Sequence, residues 1–165
     1  MRKNLEIVAS LILCLGLLLS TPLRADEGAA LSKGQLVFLP VYSHIYHGSL
    51  DRKGNPGKVL LSALVSIRNA DPKRPIRVTS ARYFNTEGKM LRDFVAAPRS
   101  VPAFGTLELF VEQHDESGGS GANFAITWDA ETPVNPPVIA AVHAAVEGAR
   151  SLLFSTAGTP IRPAD

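Results

Sequence analysis

Apolar stretches of strand length alternate with turn-forming residues from Gln35 to Thr156. Between Val59 and Ile67 every second residue is apolar (Val59, Leu61, Ala63, Val65, Ile67), which is the period of a strand with one face on a core. Leu107, Leu109 and Val111 alternate with Thr106, Glu108 and Glu112 in the same way. Phe124, Ile126 and Trp128 share one face, with Thr127 and Asp129 on the other. The run from Gln35 to Tyr46 is apolar on both faces, with Val37, Leu39, Val41 and Ile45 on one and Phe38, Tyr42 and Tyr46 on the other. Further strands are predicted at Ile76 to Phe84 and Met90 to Val95, joined by the hairpin loop Asn85-Thr86-Glu87-Gly88. Gly48 to Gly57, Asn69 to Pro72 and the stretch between Pro98 and Pro102 read as connections.

One segment fits two patterns. Val138 to Val146 follows Pro136-Pro137 and precedes Gly148, which suits a helix. It also alternates, with Val138, Ala140, Val142, Ala144 and Val146 on one side and Ile139, Ala141, His143 and Ala145 on the other. Strand is favoured, because Leu152 to Ser155 then completes a hairpin across Glu147 to Arg150. Many short strands separated by Gly- and Pro-rich turns predict an all-β fold. The expected form is a single antiparallel β-sandwich of immunoglobulin-like type with about seven or eight strands, spanning residues 34–157, with a loose tail over 158–165.

The start of the chain changes what its composition means. Arg2 and Lys3 precede an apolar run from Ile7 to Leu19, and Ala25 offers a small residue after a polar stretch, the organisation of a signal helix cleaved on export. Residues 1–25 are therefore expected to be a signal peptide and 26–33 a flexible linker. The apolar run is short for a membrane span, and Leu11-Ile12-Leu13 before Cys14 does not make a lipidation signal. Removing 25 of 165 residues takes the basic count from 17 to 14 and the acidic count from 15 to 14, so the mature chain is neutral. Neutrality without a basic run gives no electrostatic case for nucleic acid. The only cysteine, Cys14, leaves with the signal, which removes disulfides and thiol chemistry from consideration.

Three stretches together resemble a bacterial family of secreted proteins and lipoproteins classed as a domain of unknown function. They are Pro40 to Gly48 (PVYSHIYHG), Ser66 to Pro72 (SIRNADP) and Asp115 to Phe124 (DESGGSGANF), and the similarity runs from about Leu36 to Thr156. The resemblance implies export and one compact domain, and assigns no activity. Many members of that family are lipid-anchored, a feature for which this chain lacks the signal.

Candidate chemistry lies in two of these stretches. His44 and His47, beside Tyr42 and Tyr46, offer imidazole nitrogens to a transition metal. Residues three apart in a strand face opposite ways, so the two cannot chelate one ion without a bulge. Local packing and hydrogen bonding of Tyr42, His44 and Tyr46 is the simpler expectation. His114, Asp115 and Glu116 are the carboxylate and imidazole groups that would have to join them. The following Ser117, Gly118, Gly119, Ser120, Gly121 and Asn123 form a candidate interaction loop, although a tight connection closed by Asp115 and Ser117 explains the composition more simply. No phosphate loop, nucleophile elbow or paired acid and base is present. No cofactor and no enzymatic activity are expected. The leading expectation is a periplasmic or secreted interaction module with an envelope protein as partner and no membrane span in the mature chain. A binder of a metal or small ligand is the alternative.

Overall fold

A computed structural model describes residues 30–148 and 150–161. The expected signal peptide and half of the expected linker (26–29) lie outside the described residues. The described chain is all-β, with twelve strands and one short 3-10 turn. In order these are β1 (Ser32–Pro40), β2 (His44–His47), β3 (Gly57–Leu60), β4 (Ser62–Arg68), β5 (Ile76–Phe84), β6 (Met90–Asp93), β7 (Arg99–Val101) and β8 (Thr106–Val111). After the 3-10 turn Glu116–Gly118 come β9 (Asn123–Val134), β10 (Val138–Glu147), β11 (Arg150–Ala157) and β12 (Thr159–Ile161).

All pairings are antiparallel. A six-stranded sheet runs β12-β1-β9-β5-β6, with β7 also on β5. A four-stranded sheet runs β11-β10-β4-β8, and β2 with β3 makes a separate two-stranded hairpin. One buried apolar cluster draws on both larger sheets: Val37 and Leu39 of β1, Val65 and Ile67 of β4, Val78 and Tyr83 of β5, Leu107 and Leu109 of β8, and Phe124, Ile126 and Trp128 of β9. On β4, β8 and β9 these are the residues that the alternation assigns to inner faces. Each buried side chain of this size contributes roughly 1.5 to 3 kcal/mol relative to exposure.

The strand count exceeds the expected seven or eight for three physical reasons. The single apolar runs Gln35–Tyr46 and Val59–Ile67 are each broken where the chain leaves one sheet and joins another. Between β1 and β2, the Ser43 N–H donates to Gly119 O at 3.0 Å, and the Ser43 carbonyl accepts from the Leu61 N–H at 2.9 Å, at the break between β3 and β4. Between Pro98 and Pro102, where a connection is expected, three residues pair with Ile76–Val78 as β7. Past Gly158, where a tail is expected, Thr159–Ile161 pairs with Leu36–Phe38 as β12.

Gly158 is the corner at which β11 leaves the four-stranded sheet and β12 enters the six-stranded one. Its N–H donates to Ile139 O at 2.8 Å, and a Cβ there would come 2.7 Å from Val37 Cγ1. Val138–Glu147 is a strand, paired to both β4 and β11. Its inner face is Ile139, Ala141, His143 and Ala145, while Val138, Val142 and Val146 face outward.

Candidate functional site

The stretches carrying the candidate residues meet in space. The Val41 N–H donates to Ala122 O at 2.9 Å, next to the Ser43–Gly119 bond. From the β5–β6 hairpin, the Thr86 N–H reaches Gly118 O at 3.0 Å, and Thr86 Oγ1 accepts from the Gly121 N–H at 3.0 Å. Beneath them Ser43 Oγ and Tyr83 Oη share a hydrogen bond of 3.0 Å. Asp115 Oδ1 accepts from both the N–H and the hydroxyl of Ser117, which starts the 3-10 turn.

The loop composition follows from this seat. Gly118 is buried, and a Cβ on it would lie 1.9 Å from Tyr83 Oη. Gly119 holds φ +77°, a left-handed conformation that favours glycine, and its Cβ would meet Thr86 Oγ1 at 2.4 Å. Ser117, Ser120 and Gly121 sit on the rim of the loop and Asn123 opens β9. The backbone carbonyls of Gly118 and Gly119 are therefore spent on internal bonds.

The histidines divide. His44 is buried, packs edge-on against Tyr46 with ring centroids 4.9 Å apart, and leaves both ring nitrogens without a hydrogen-bond partner. His47 faces the other way, exposed, with its ring against Gly57 across the hairpin. His114 is exposed, and Glu116 takes an ion pair from Lys58 of β3. The Lys58 ammonium holds the Glu116 carboxyl below the usual carboxylate range, with smaller contributions from His44 and His114. So His44, His114 and Glu116 share one neighbourhood, His47 lies apart from it, and Asp115 is committed to the turn. Among the described residues no three His, Cys, Asp or Glu side chains cluster closely enough to hold a metal ion.

The Ser66–Pro72 stretch is a loop lock. Asn69 Nδ2 donates to Arg74 O at 2.8 Å, Pro102 O at 3.0 Å and Val101 O at 3.1 Å, while its Oδ1 accepts from the Asp71 N–H. Asp71 accepts from the N–H groups of Lys73, Arg74 and Asn135, and these bonds hold its carboxyl below the usual range. Asn and Asp here do the Asx-type bonding that their turn preference predicts.

Two features lie outside the residues singled out by sequence. His143 has no exposed surface, accepts from the Tyr42 N–H at Nε2 (3.2 Å), stacks on Phe154 with centroids 4.6 Å apart, and leaves Nδ1 unpartnered. Burial pushes its pKa down to about 4, so the ring is neutral. Its alternation with Ile139, Ala141 and Ala145 was the signal available in the sequence. Separately, an open groove of about 500 Å³ is lined by Arg74, Arg77, Ser100, Asp129, Glu131 and Thr132. Arg77 and Asp129 pair there through two bonds of 2.9 and 2.8 Å, so the charges lining it largely cancel.

The outer face of the four-stranded sheet is apolar over much of its area, with Arg68, Thr106 and Glu108 toward one end. Val138, Val142 and Val146 of β10, Leu153 of β11 and Phe110 of β8 are each between 42% and 67% exposed, with Leu64 of β4 among them. The outer face of the six-stranded sheet instead carries Arg77, Arg82, Thr127 and Asp129. Contiguous apolar exposure on one face of a domain is the mark of an interaction surface more often than of a solvated one.

Among curated proteins none matches this chain. A solved structure described as "Crystal Structure of Thermotoga maritima 1070" is similar at a TM-score of 0.42 and 14% identity, covering 81% of this chain and 95% of that one. Likeness at that level carries no argument. The family model described as "Protein of unknown function (DUF3124)" matches residues 34–161, and the chain belongs to that family.

Proposed function

We propose that the protein is an exported, non-enzymatic interaction module, an immunoglobulin-like β-sandwich that works in the periplasm or outside the cell after cleavage near Ala25. The observation that carries this reading is the apolar outer face centred on Leu64, Phe110 and Val142. Water is a poor neighbour for such a row, and a partner surface removes the cost at about 25 cal/mol per Å² covered. Asn69, Asp71 and Asp115 of the motif stretches support it from the other side, since their side chains are bound to the chain's own backbone.

Hydroxyl-radical footprinting in intact cells, set against dilute purified protein, tests the reading. Phe110 and Leu153 are expected to oxidise several-fold less in cells. Equal oxidation in both settings, together with turnover of a small substrate by the purified protein, would sink it.

A second reading is favoured by one observation, the two unpartnered ring nitrogens of His44 beside Glu116. In it, Lys58 leaves the carboxylate and His44, His114 and Glu116, which do not stand close enough together to chelate as they are, draw in around a transition metal or small ligand. Calorimetric titration with copper and zinc is expected to give a heat of binding that His44→Ala and His114→Ala each abolish. Identical isotherms for the wild type and both variants remove the site.

A further inference from the structure

We propose that the outer face of the four-stranded sheet is closed by the same face of a second copy of this chain, about a two-fold axis that crosses the strands. The proposal rests on the interaction-module reading and names the partner. Strand register sets the outward residues in rows. One row reads Phe110, Leu64, Val142, Ser155 from β8 to β11. The next row along the strands reads Ser62, Ala144, Leu153 from β4 to β11. Large and small residues change places between the two: Leu64 and Val142 are large where Ser62 and Ala144 are small, and Leu153 is large where Ser155 is small.

A two-fold axis lying between these rows sets each of them over the other. Leu64 then covers the partner's Ser62, Val142 covers the partner's Ala144, and Leu153 covers the partner's Ser155. One row further out, Val146 covers the partner's Ala140 by the same operation. Ridges fill hollows at these four positions, which sheet faces packed about 10 Å apart require, while on the edge strand Phe110 stands over the partner's Glu112. Self-complementarity under a two-fold axis is the defining property of an isologous interface, and a surface shaped for an unrelated partner has no reason to possess it.

The size is that of a weak, reversible dimer. About this axis β10 and β11 overlap for most of their length, β4 only around Ser62–Leu64 and β8 only at its end, which covers on the order of 300 Å² in plan. A ridged surface exposes more area than its plan, which places the contact among small, transient interfaces. The charged side chains of this face, Arg68 and Glu108, stand at its margin, where an interface has its polar rim.

Sedimentation equilibrium of protein purified from cells expressing the full chain tests this. The wild type is expected to be a dimer that dissociates in the micromolar range. Val142→Glu, at a side chain already facing water, is expected to be a folded monomer by circular dichroism at concentrations where the wild type is dimeric. Ala144→Val sets two ridges against each other and should weaken the dimer by about tenfold or more. Adding Val142→Ala exchanges ridge and hollow and should restore it.

A wild type that stays monomeric to roughly 100 µM overturns the proposal, as does a dimer indifferent to Val142→Glu or a double variant no tighter than Ala144→Val. A monomer whose Phe110 and Leu153 are still protected in cells means that another molecule covers the face. The second-copy proposal then falls while the interaction-module reading stands.

Discussion

Gly118→Ala is expected to destabilise the domain by about 3 kcal/mol, a large effect for the addition of one methyl group. The new Cβ would lie 1.9 Å from Tyr83 Oη and 2.7 Å from Ala122 Cβ, and neither neighbour can move freely. Tyr83 is buried, stacks on Phe124 with centroids 4.9 Å apart and is hydrogen-bonded to Ser43. Ala122 is held by the Val41 bond at the entry to β9. The loop must therefore lift, breaking its contacts with Ser43 and Thr86.

Urea denaturation of the wild type, Gly118→Ala, Tyr83→Phe and the double variant forms a thermodynamic cycle. Removing the hydroxyl should recover part of the loss, so that the double variant is more stable than the sum of the single effects by about 1 kcal/mol. A Gly118→Ala protein as stable as the wild type would show that the loop does not sit on Tyr83.

The second large effect is a loss of stability in mild acid, governed by His143. Its pKa falls from the ordinary 6.5 to about 4 because burial disfavours the charged ring. Between those values the unfolded chain binds a proton that the folded chain refuses. The contribution is complete above pH 6.5 and is lost as the pH falls toward 4, by on the order of 3 kcal/mol in all. Asp71 and Asp129 lose their contributions at lower pH. Their folded values lie below the ordinary 3.8, held down by backbone N–H groups and by Arg77 respectively.

Unfolding free energy measured from pH 7.5 to 4.5 should therefore slope downward in the wild type. In His143→Leu the slope should flatten by nearly one proton, at the cost of a constant offset from the orphaned Tyr42 N–H. An unchanged slope in His143→Leu would place the acid sensitivity elsewhere.

Both effects arise at residues whose importance depends on distant neighbours. The candidate residues of Asp115 to Asn123 were legible in the sequence as a turn, because Gly, Ser and Asp carry their turn preferences locally. That Gly118 must lack a Cβ was not legible, since the reason is a tyrosine 35 residues earlier. His44 and His114 share a neighbourhood only because the β2–β3 hairpin folds onto the 3-10 turn through Lys58 and Glu116.

By itself the sequence determined that the chain forms strands, and which side of several of them is buried. At Leu107–Val111 and Phe124–Trp128 one side is uniformly apolar while the other carries Glu108 and Thr127, and the pleat turns that local alternation directly into inside and outside. The tertiary structure alone decided β10. Both of its faces are apolar, so alternation carries no sign there, and packing against β1 and the core chose Ile139, Ala141, His143 and Ala145 for the interior. It also decided where the long runs break and that β7 and β12 exist at all. A three-residue strand has no periodicity to read and is held by the hydrogen bonds of its neighbour, which come into reach only once the sheet has formed.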